Sequence, residues 1–187
     1  MAKYYGGNSH VLYQTINEPA ASDAGQMQAT YNALRGAGYN GTIFMEAGQG
    51  AGGVAGTLGD TSVFRSMKNV AWDLHGYNWQ SNYSTSVSTI QADLNSRIAT
   101  YQAITSASGV MPVISLETGQ ATNGLQVDPG GAQEMQAAFT DTKLSGAAAW
   151  TWENWGTPGL VNSLTNNGGN SLTAYGSAVA GYIAGHR

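Results

Sequence analysis

Cysteine is absent from the sequence, and charged residues are scarce. Without cysteine the chain has no disulfide, no zinc-thiolate site and no thiol nucleophile, while either redox compartment stays open. Only 10% of the 187 residues are charged, with 7 basic and 11 acidic side chains, against a usual share of about 25%. Lys and Arg form no cluster, so the surface lacks the positive charge that nucleic-acid binding requires.

Long apolar runs are also missing. No run approaches the roughly 18 residues that span a bilayer, and the segment from Met1 to Tyr5 lacks the apolar core of a signal peptide. We therefore expect a soluble chain with no membrane partner. The length suits a single domain, residues 1–187, but falls short of the roughly 250 residues of a complete (β/α)8 barrel.

What the chain does contain is a repeated unit: a short apolar run, a Gly- or Asn-rich loop and a segment with helical spacing. Strands that alternate with helices predict an α/β fold with a parallel sheet. The five predicted strands are His10 to Ile16, Gly41 to Glu46, Asn69 to His75, Met111 to Leu116 and Gly146 to Trp152.

Four helices are predicted around these strands. The clearest runs from Ser86 to Ser106, because apolar residues recur there at helical spacing. Its stripe consists of Ile90, Leu94, Ile98, Tyr101 and Ile104. The other helices are Asp23 to Arg35, Asp128 to Lys143, and a last one opened by Asn170 and Ser171 that is expected to bury Leu172, Tyr175, Val179 and Ile183.

Carboxylates stand at the C-terminal ends of two predicted strands, the edge where parallel α/β folds assemble their sites. Glu18 ends the first strand and Glu117 the fourth. Two such carboxylates are what glycoside hydrolysis requires, one to protonate the leaving oxygen and one to attack the anomeric carbon. His75 and Tyr77 end the third strand, where the Tyr hydroxyl is placed to donate to the nucleophile and His75 to contact a sugar hydroxyl.

Tryptophans end the fifth predicted strand. Trp150 and Trp152 share the inward-facing parity, and an indole is a usual flat surface for stacking a pyranose ring. Large aromatics also fill barrel interiors, so a packing role stays open for either residue. Trp79, Tyr83 and Trp155 lie in loops after strand ends and are candidates to extend the cleft.

Four motifs, in order along the chain, carry a family resemblance. They are Asn17-Glu18-Pro19, Leu74-His75-Gly76-Tyr77, Ser115-Leu116-Glu117-Thr118-Gly119 and Ala149-Trp150. Together they resemble the fourth, sixth, seventh and eighth strands of clan A glycoside hydrolases, most closely family 5 cellulases. The resemblance runs from about Tyr5 to the C-terminus and covers essentially the whole chain.

The resemblance implies an incomplete, half TIM-type (β/α) barrel with about five parallel strands, corresponding to barrel strands four to eight. It also implies endo-hydrolysis of a β-1,4-glucan with retention, in which Glu18 is the acid/base and Glu117 the nucleophile. Asn17 would then hydrogen-bond the 2-hydroxyl of the sugar. No cofactor and no metal are implied, the expected partner is a polysaccharide, and the expected location is extracellular. The substrate-binding residues would be Asn17, His75, Tyr77, Trp150 and Trp152.

The first three barrel strands, which in the family bring an Arg and a His to the catalytic floor, have no counterpart in this sequence. An open sheet leaves two unpaired edges, so we expect a homo-oligomer, most simply a two-fold dimer. An alternative function stays open, because losing supporting strands loosens a catalytic site. This alternative is a weak or inactive half-barrel that binds carbohydrate or serves as a self-associating scaffold. The sequence does not distinguish glucan from mannan or xylan.

Other site patterns are weaker. Gly48 to Gly53 satisfy G-x-G-x-x-G, but further glycines interrupt the helix that a dinucleotide site needs, so the match is taken as accidental. The sequence has no G-x-S-x-G motif of serine hydrolases, and its three histidines form no metal-ligand pair. Glu46 ends the second strand and is interpreted as a supporting or subsite polar group rather than the catalytic acid.

Overall fold

The computed structural model describes residues 2–8, 10–19, 24–46, 58–119, 122–123, 126–127, 131–141, 143–150, 165–166 and 171–185. The chain forms two compact units. Unit 1 comprises Met1–Leu74 and Arg97–Ile114, and unit 2 comprises His75–Ser96 and Ser115–Arg187. Over the described ranges, no helix combines the length and the apolar character needed to cross a membrane.

Helices and strands alternate along the chain, as the periodicity predicts. The helices are α1 (Ala2–Tyr5), α2 (Ala24–Gly36), α3 (Val87–Gln102), α4 (Gly131–Thr140) and α5 (Ala174–Gly185), with short 3-10 helices at Thr61–Ser66 and Asn78–Ser81. The strands are β1 (Tyr13–Gln14), β2 (Ile43–Glu46), β3 (Val70–Asp73), β4 (Gly76–Tyr77), β5 (Thr105–Ser106), β6 (Gly109–Val110), β7 (Val113–Gly119), β8 (Thr122–Asn123), β9 (Gln126–Val127), β10 (Ala147–Trp150), β11 (Thr165–Asn166) and β12 (Ser171–Leu172).

Five strands hydrogen-bond in parallel in the order β1, β2, β3, β7 and β10. Within unit 1, Glu46 at the end of β2 lies opposite Asp73 at the end of β3. Strand β7 begins in unit 1 and ends in unit 2, where the short β4 and β10 both pair with it. Each of the five predicted strands overlaps one of these parallel strands, so the strand prediction is confirmed, although β7 continues past the predicted end at Leu116 to Gly119.

In unit 1, side chains alternate between the two faces of β2 and β3, and both faces are buried. Trp72 lies fully buried on one face, with ring centroids 5.2 Å from Phe64 and 5.1 Å from Tyr101. Glu46 and Asp73 lie on the opposite face from Trp72, at the strand ends, and are also buried. The polar groups at the strand ends therefore stand on a rigid, packed support.

Arg35 fastens helix α2 to the segments that lead into two strands. Its guanidinium donates to the carbonyl of Tyr39 at 2.8 Å, before β2, and to the carbonyl of Lys68 at 2.7 Å, before β3. Gly38 takes a left-handed φ of 88°, which lets the chain turn back so that the N–H of Tyr39 donates to the carbonyl of Leu34 at 3.1 Å. These bonds fix where β2 and β3 begin.

In unit 2, helices α4 and α5 pack through a buried cluster of Met135, Tyr175 and Val179. The Tyr175 hydroxyl is shared between the carbonyls of Thr118 and Trp150, each 3.3 Å away. Helix α5 therefore holds the ends of β7 and β10 together.

The four longer helices match the four predicted ones, with an earlier end for α3. The stripe of α3 is buried at Ile90, Leu94, Ile98 and Tyr101, whereas Ile104 follows the end of the helix. The predicted cap of α4, Asp128 and Pro129, lies outside the described residues.

The prediction that Leu172 and Ile183 are buried is wrong. Leu172 is 45% exposed because it belongs to β12, which pairs with β11, and the helix starts only after it. Ile183 is 43% exposed. It follows Tyr175 by eight positions, which rotates it by about 80° from the buried face of the helix.

Candidate active site

Glu117 is held by two side chains of unit 2, both of which the sequence places at a strand end. The Tyr77 hydroxyl donates to Glu117 Oε1, and Nδ1 of His75 lies 3.7 Å from Glu117 Oε2. His75 is 1% exposed, whereas the Glu117 side chain is 14% exposed and so still reaches solvent. The hydroxyl donor at Oε1 orients the carboxylate, and the nearby imidazole encloses its second oxygen, which is the fixed geometry that a nucleophile requires.

Local backbone geometry explains why Tyr77 meets Glu117. Tyr77 pairs in parallel register with Gly119, two residues beyond Glu117. Gly76 makes this approach possible, since a Cβ there would lie 3.1 Å from Glu134 Oε1 and 3.3 Å from Thr118 Oγ1. The Gly between His75 and Tyr77 therefore serves close packing.

The backbone that carries Glu117 is fixed by hydroxyl groups. Ser115 Oγ donates to the carbonyl of Glu117 at 3.2 Å and also hydrogen-bonds the Thr118 hydroxyl. Ser115 and Thr118 are both buried. Small hydroxyl residues on either side of the carboxylate thus limit the movement of this strand end.

Trp150 ends β10 opposite Gly119 and is half-buried, so part of its indole is accessible. Trp152 and Trp155 lie outside the described residues, as does the side chain of Trp79. Tyr83 is 42% exposed and has a left-handed backbone, with a φ of 56°.

Glu18 and Asn17 lie in unit 1, a few residues after the end of β1 at Gln14, and both are exposed. The backbone of Glu18 is left-handed, with a φ of 43°, a conformation that costs energy for any residue with a Cβ. Its N–H donates to Glu46 Oε2 at 2.9 Å. The side chain that we expect to act as the acid/base therefore starts from a strained and hydrogen-bonded backbone, which is a common arrangement at functional sites.

A second pair of carboxylates in unit 1 was not identified as a network from the sequence. Glu46 and Asp73 are each 1% exposed, and one amide joins them. Nε2 of Gln14 donates to Glu46 Oε2 at 2.6 Å and to Asp73 Oδ2 at 2.8 Å. The sequence signal for this network is a polar residue, Gln14, within the first predicted strand and three positions before Asn17. The interpretation of Glu46 as a supporting group agrees with this position.

These charges affect the neighbouring Tyr101. Burial is the main cause that raises the pKa of the Tyr101 hydroxyl above its usual value of 10.0. The positive charge of Arg97 lowers this pKa, whereas the charges of Glu46 and Asp73 raise it further. Tyr101 therefore stays protonated wherever the chain is folded at ordinary pH.

Glu46 and Asp73 offer buried carboxylate oxygens of the kind that bind a cation. Gln14 places an amide nitrogen, a donor, between the two carboxylates. A hydrogen-bond donor at that point suits a polar network rather than a metal.

Comparison with known proteins identifies the family of this chain. A family model described as cellulase (glycosyl hydrolase family 5) matches residues 1–156. The chain belongs to glycosyl hydrolase family 5. The resemblance drawn from the four motifs is thereby confirmed, and no curated protein matches the sequence.

Solved structures similar to this family 5 chain include XacCel5A, an endo-β-1,4-glucanase and a β-mannanase. XacCel5A in complex with cellopentaose has 16% identity and a TM-score of 0.69, and an endo-β-1,4-glucanase of Xanthomonas axonopodis pv. citri carrying a triple mutation has 18% and 0.72. The β-mannanase of Streptomyces thermolilacinus has 21% identity and a TM-score of 0.66.

The matches cover 97–98% of this chain but only 60–62% of those structures. The family 5 chain thus spans about three fifths of their length. Its five parallel strands have the fold of part of their barrels, which confirms the predicted half TIM-type barrel. At this level of identity the structural likeness establishes the fold alone.

Proposed function

We propose that this chain is a glycoside hydrolase that cleaves a β-1,4-glucan internally and with retention, using Glu117 as nucleophile and Glu18 as acid/base. The observation that carries the proposal is the hydrogen bond from Tyr77 to Glu117, with His75 beside the second carboxylate oxygen. Family 5 membership supports the same reaction class.

In the first step, Glu117 attacks the anomeric carbon and forms a glycosyl-enzyme ester, while Glu18 gives its proton to the leaving oxygen. In the second step, the ionised Glu18 takes a proton from water, which attacks the same carbon and releases Glu117 as a carboxylate. Tyr77 retains its proton throughout and positions Glu117. Asn17 is proposed to bind the 2-hydroxyl, and Trp150 and Trp152 to stack on sugar rings.

The choice of glucan is supported by the similar structure that holds cellopentaose. The similar mannanase makes mannan the first competitor. The two sugars differ at a single hydroxyl, so the contacts of a few loop residues decide between them.

The test is release of reducing ends from carboxymethyl cellulose, with mannan and xylan in parallel. We expect activity on the glucan that Glu18→Gln and Glu117→Gln each reduce by roughly 10³-fold or more, since both carboxylates act in the transition state. The matched control is Asp60→Asn, which neutralises an exposed carboxylate and should leave the rate unchanged.

A folded chain that releases no reducing ends from any of the three polysaccharides would reject the enzymatic proposal. Retained binding of cello-oligosaccharides in that case would favour the alternative, a half-barrel that binds carbohydrate without turning it over. Greater activity on mannan than on glucan would keep the mechanism and change the substrate.

A further inference from the structure

The carboxyl group of Glu46 is hydrogen-bonded to the backbone of Glu18. Its Oε2 accepts the N–H of Glu18 at 2.9 Å, although the two residues are 28 positions apart in sequence. Glu18 has a left-handed φ of 43°, which a residue with a Cβ adopts only where its surroundings impose it. A carboxyl oxygen is a good hydrogen-bond acceptor for an amide, and the 2.9 Å distance is typical of a well-formed bond.

A second donor, Gln14, orients the carboxyl group of Glu46. Gln14 uses both hydrogens of its amide, one for Glu46 Oε2 at 2.6 Å and one for Asp73 Oδ2 at 2.8 Å. Gln14, Glu46 and Asp73 end three successive strands of unit 1, and strand pairing holds β2 in register with both neighbours. The acceptor for the Glu18 amide is therefore built into the sheet rather than into a loop.

Burial keeps Glu46 away from the reaction itself. It is 1% exposed, whereas Glu18 is exposed to solvent. A carboxylate so enclosed does not reach a polysaccharide, so any effect of Glu46 on turnover must pass through the groups that it touches.

We propose that Glu46 is a positioning residue for Glu18: by accepting the Glu18 N–H, it holds that backbone in its left-handed turn and aims the acid/base carboxyl. This inference rests on the proposed function, in which Glu18 is the acid/base. Asp73 and Gln14 act indirectly: Asp73 accepts from the Gln14 amide, and that amide orients the Glu46 carboxyl group.

The test uses the dependence of rate on the leaving group. A mispositioned acid slows departure of a poor leaving group, which needs its proton, but not of 2,4-dinitrophenolate, which leaves unprotonated. For Glu46→Leu we expect kcat/KM on cellopentaose to fall ~30-fold or more and on 2,4-dinitrophenyl β-cellobioside to change less than ~3-fold. Glu46→Gln, which keeps an acceptor oxygen, should regain most of the loss.

Two further variants separate positioning from general damage to the strand. Met45→Ala removes a fully buried side chain from the opposite face of β2. It should lower the free energy of unfolding, and any change in kcat/KM should be the same for both substrates. Gln14→Met should reproduce the pattern of Glu46→Leu to a smaller extent. Equal losses on both substrates, or full activity of Glu46→Leu on both, would overturn the inference.

A second measurement does not depend on turnover. Hydrogen exchange of the Glu18 amide should be at least ~10-fold faster in Glu46→Leu than in the unaltered chain, because the acceptor is gone. If Glu46→Leu fails to fold, Glu46→Ala takes its place, because that substitution also removes the acceptor of the Glu18 amide. Unchanged protection of the Glu18 amide would overturn the inference even in an inactive chain, whereas inactivity alone would reject only the proposed function.

Discussion

At the scale of single residues, Tyr77 determines how Glu117 is held. Its hydroxyl donates to Oε1, while His75 stands 3.7 Å from Oε2. Tyr77 reaches the carboxylate from a position that strand pairing fixes, because it lies in register with Gly119.

The first prediction is that Tyr77→Phe slows the enzyme without unfolding it. Removing one donor to a charged acceptor should lower kcat/KM on the glucan by about 10- to 100-fold, equal to about 1.4–2.7 kcal/mol. The measurement is steady-state hydrolysis of cellopentaose, with Tyr4→Phe as the control at a Tyr that is 84% exposed. An unchanged kcat/KM would show that the hydroxyl does not assist Glu117.

At this scale the sequence identified the residues around Glu117 but not the support of Glu18. Glu117, His75 and Tyr77 were predictable because strand ends and side-chain parity place them at one edge. The bond from the Glu18 amide to Glu46 was not, because it depends on a left-handed turn that no local pattern of Asn-Glu-Pro indicates. The amide of Gln14 bridges three strands, which only the folded register reveals.

At the scale of elements, the close contact between β7 and β10 depends on Gly119. A Cβ at that position would lie 2.5 Å from the Trp150 carbonyl oxygen and 3.0 Å from the Tyr175 hydroxyl. Neither atom is a flexible side-chain end, since one is backbone and the other is hydrogen-bonded to two carbonyls.

The second prediction is therefore that Gly119→Ala lowers the free energy of unfolding by about 1–3 kcal/mol, because the strands must separate. Urea denaturation measures this change. Gly36→Ala is the control, since a Cβ there meets nothing within 4 Å and Ala is the better helix former by about 1 kcal/mol. Equal stability of Gly119→Ala and the unaltered chain would contradict the contact.

The third prediction concerns Tyr101 on α3, whose pKa burial raises above 10.0. The unfolded chain loses this proton near pH 10, whereas the folded chain retains it. The contribution of Tyr101 is therefore fully present below pH 10, and the free energy of unfolding falls above it by up to about 1.4 kcal/mol per pH unit.

Tyr101→Phe should make that alkaline decline shallower, as urea denaturation between pH 9 and 11 would show. Tyr4→Phe, at an exposed site, should not change it. An identical slope for Tyr101→Phe and the unaltered chain would mean that the hydroxyl titrates alike in both states.

Prediction from sequence worked best for the longer elements. The parallel strands are predicted by short apolar runs that are too short for helices. Helix α3 is predicted by apolar residues that recur every three or four positions. The prediction failed at Leu172, because a two-residue pairing of β12 with β11 displaces the start of α5. Pairings this short depend on contacts distant in sequence rather than on propensity.

At the scale of the whole molecule, the two end strands of the parallel sheet, β1 and β10, are relevant to self-association. Among the described strands, β1 pairs only with β2 and β10 only with β7. Tyr4, Tyr5 and Leu12, near β1, are exposed. Open strand edges and exposed apolar groups favour pairing with another chain.

The fourth prediction is that the 187-residue chain forms a homodimer in which a second copy covers these groups. Sedimentation velocity at micromolar concentration should show a dimer, and Leu12→Asp should shift it towards the monomer. Asp is a suitable probe because burying its charge in an apolar interface is costly. A monodisperse monomer of the unaltered chain would contradict the prediction.

In the proposed mechanism Glu117 forms a covalent glycosyl-enzyme intermediate, which can be trapped and located. The reagent is 2,4-dinitrophenyl 2-deoxy-2-fluoro-β-cellobioside, whose good leaving group allows the ester to form while the fluorine slows its hydrolysis. We predict that mass spectrometry finds one added fluorocellobiosyl group and that peptide mapping assigns it to Glu117, with none in Glu117→Gln. A folded chain that gains no adduct, or one that carries it on another residue, would contradict the account.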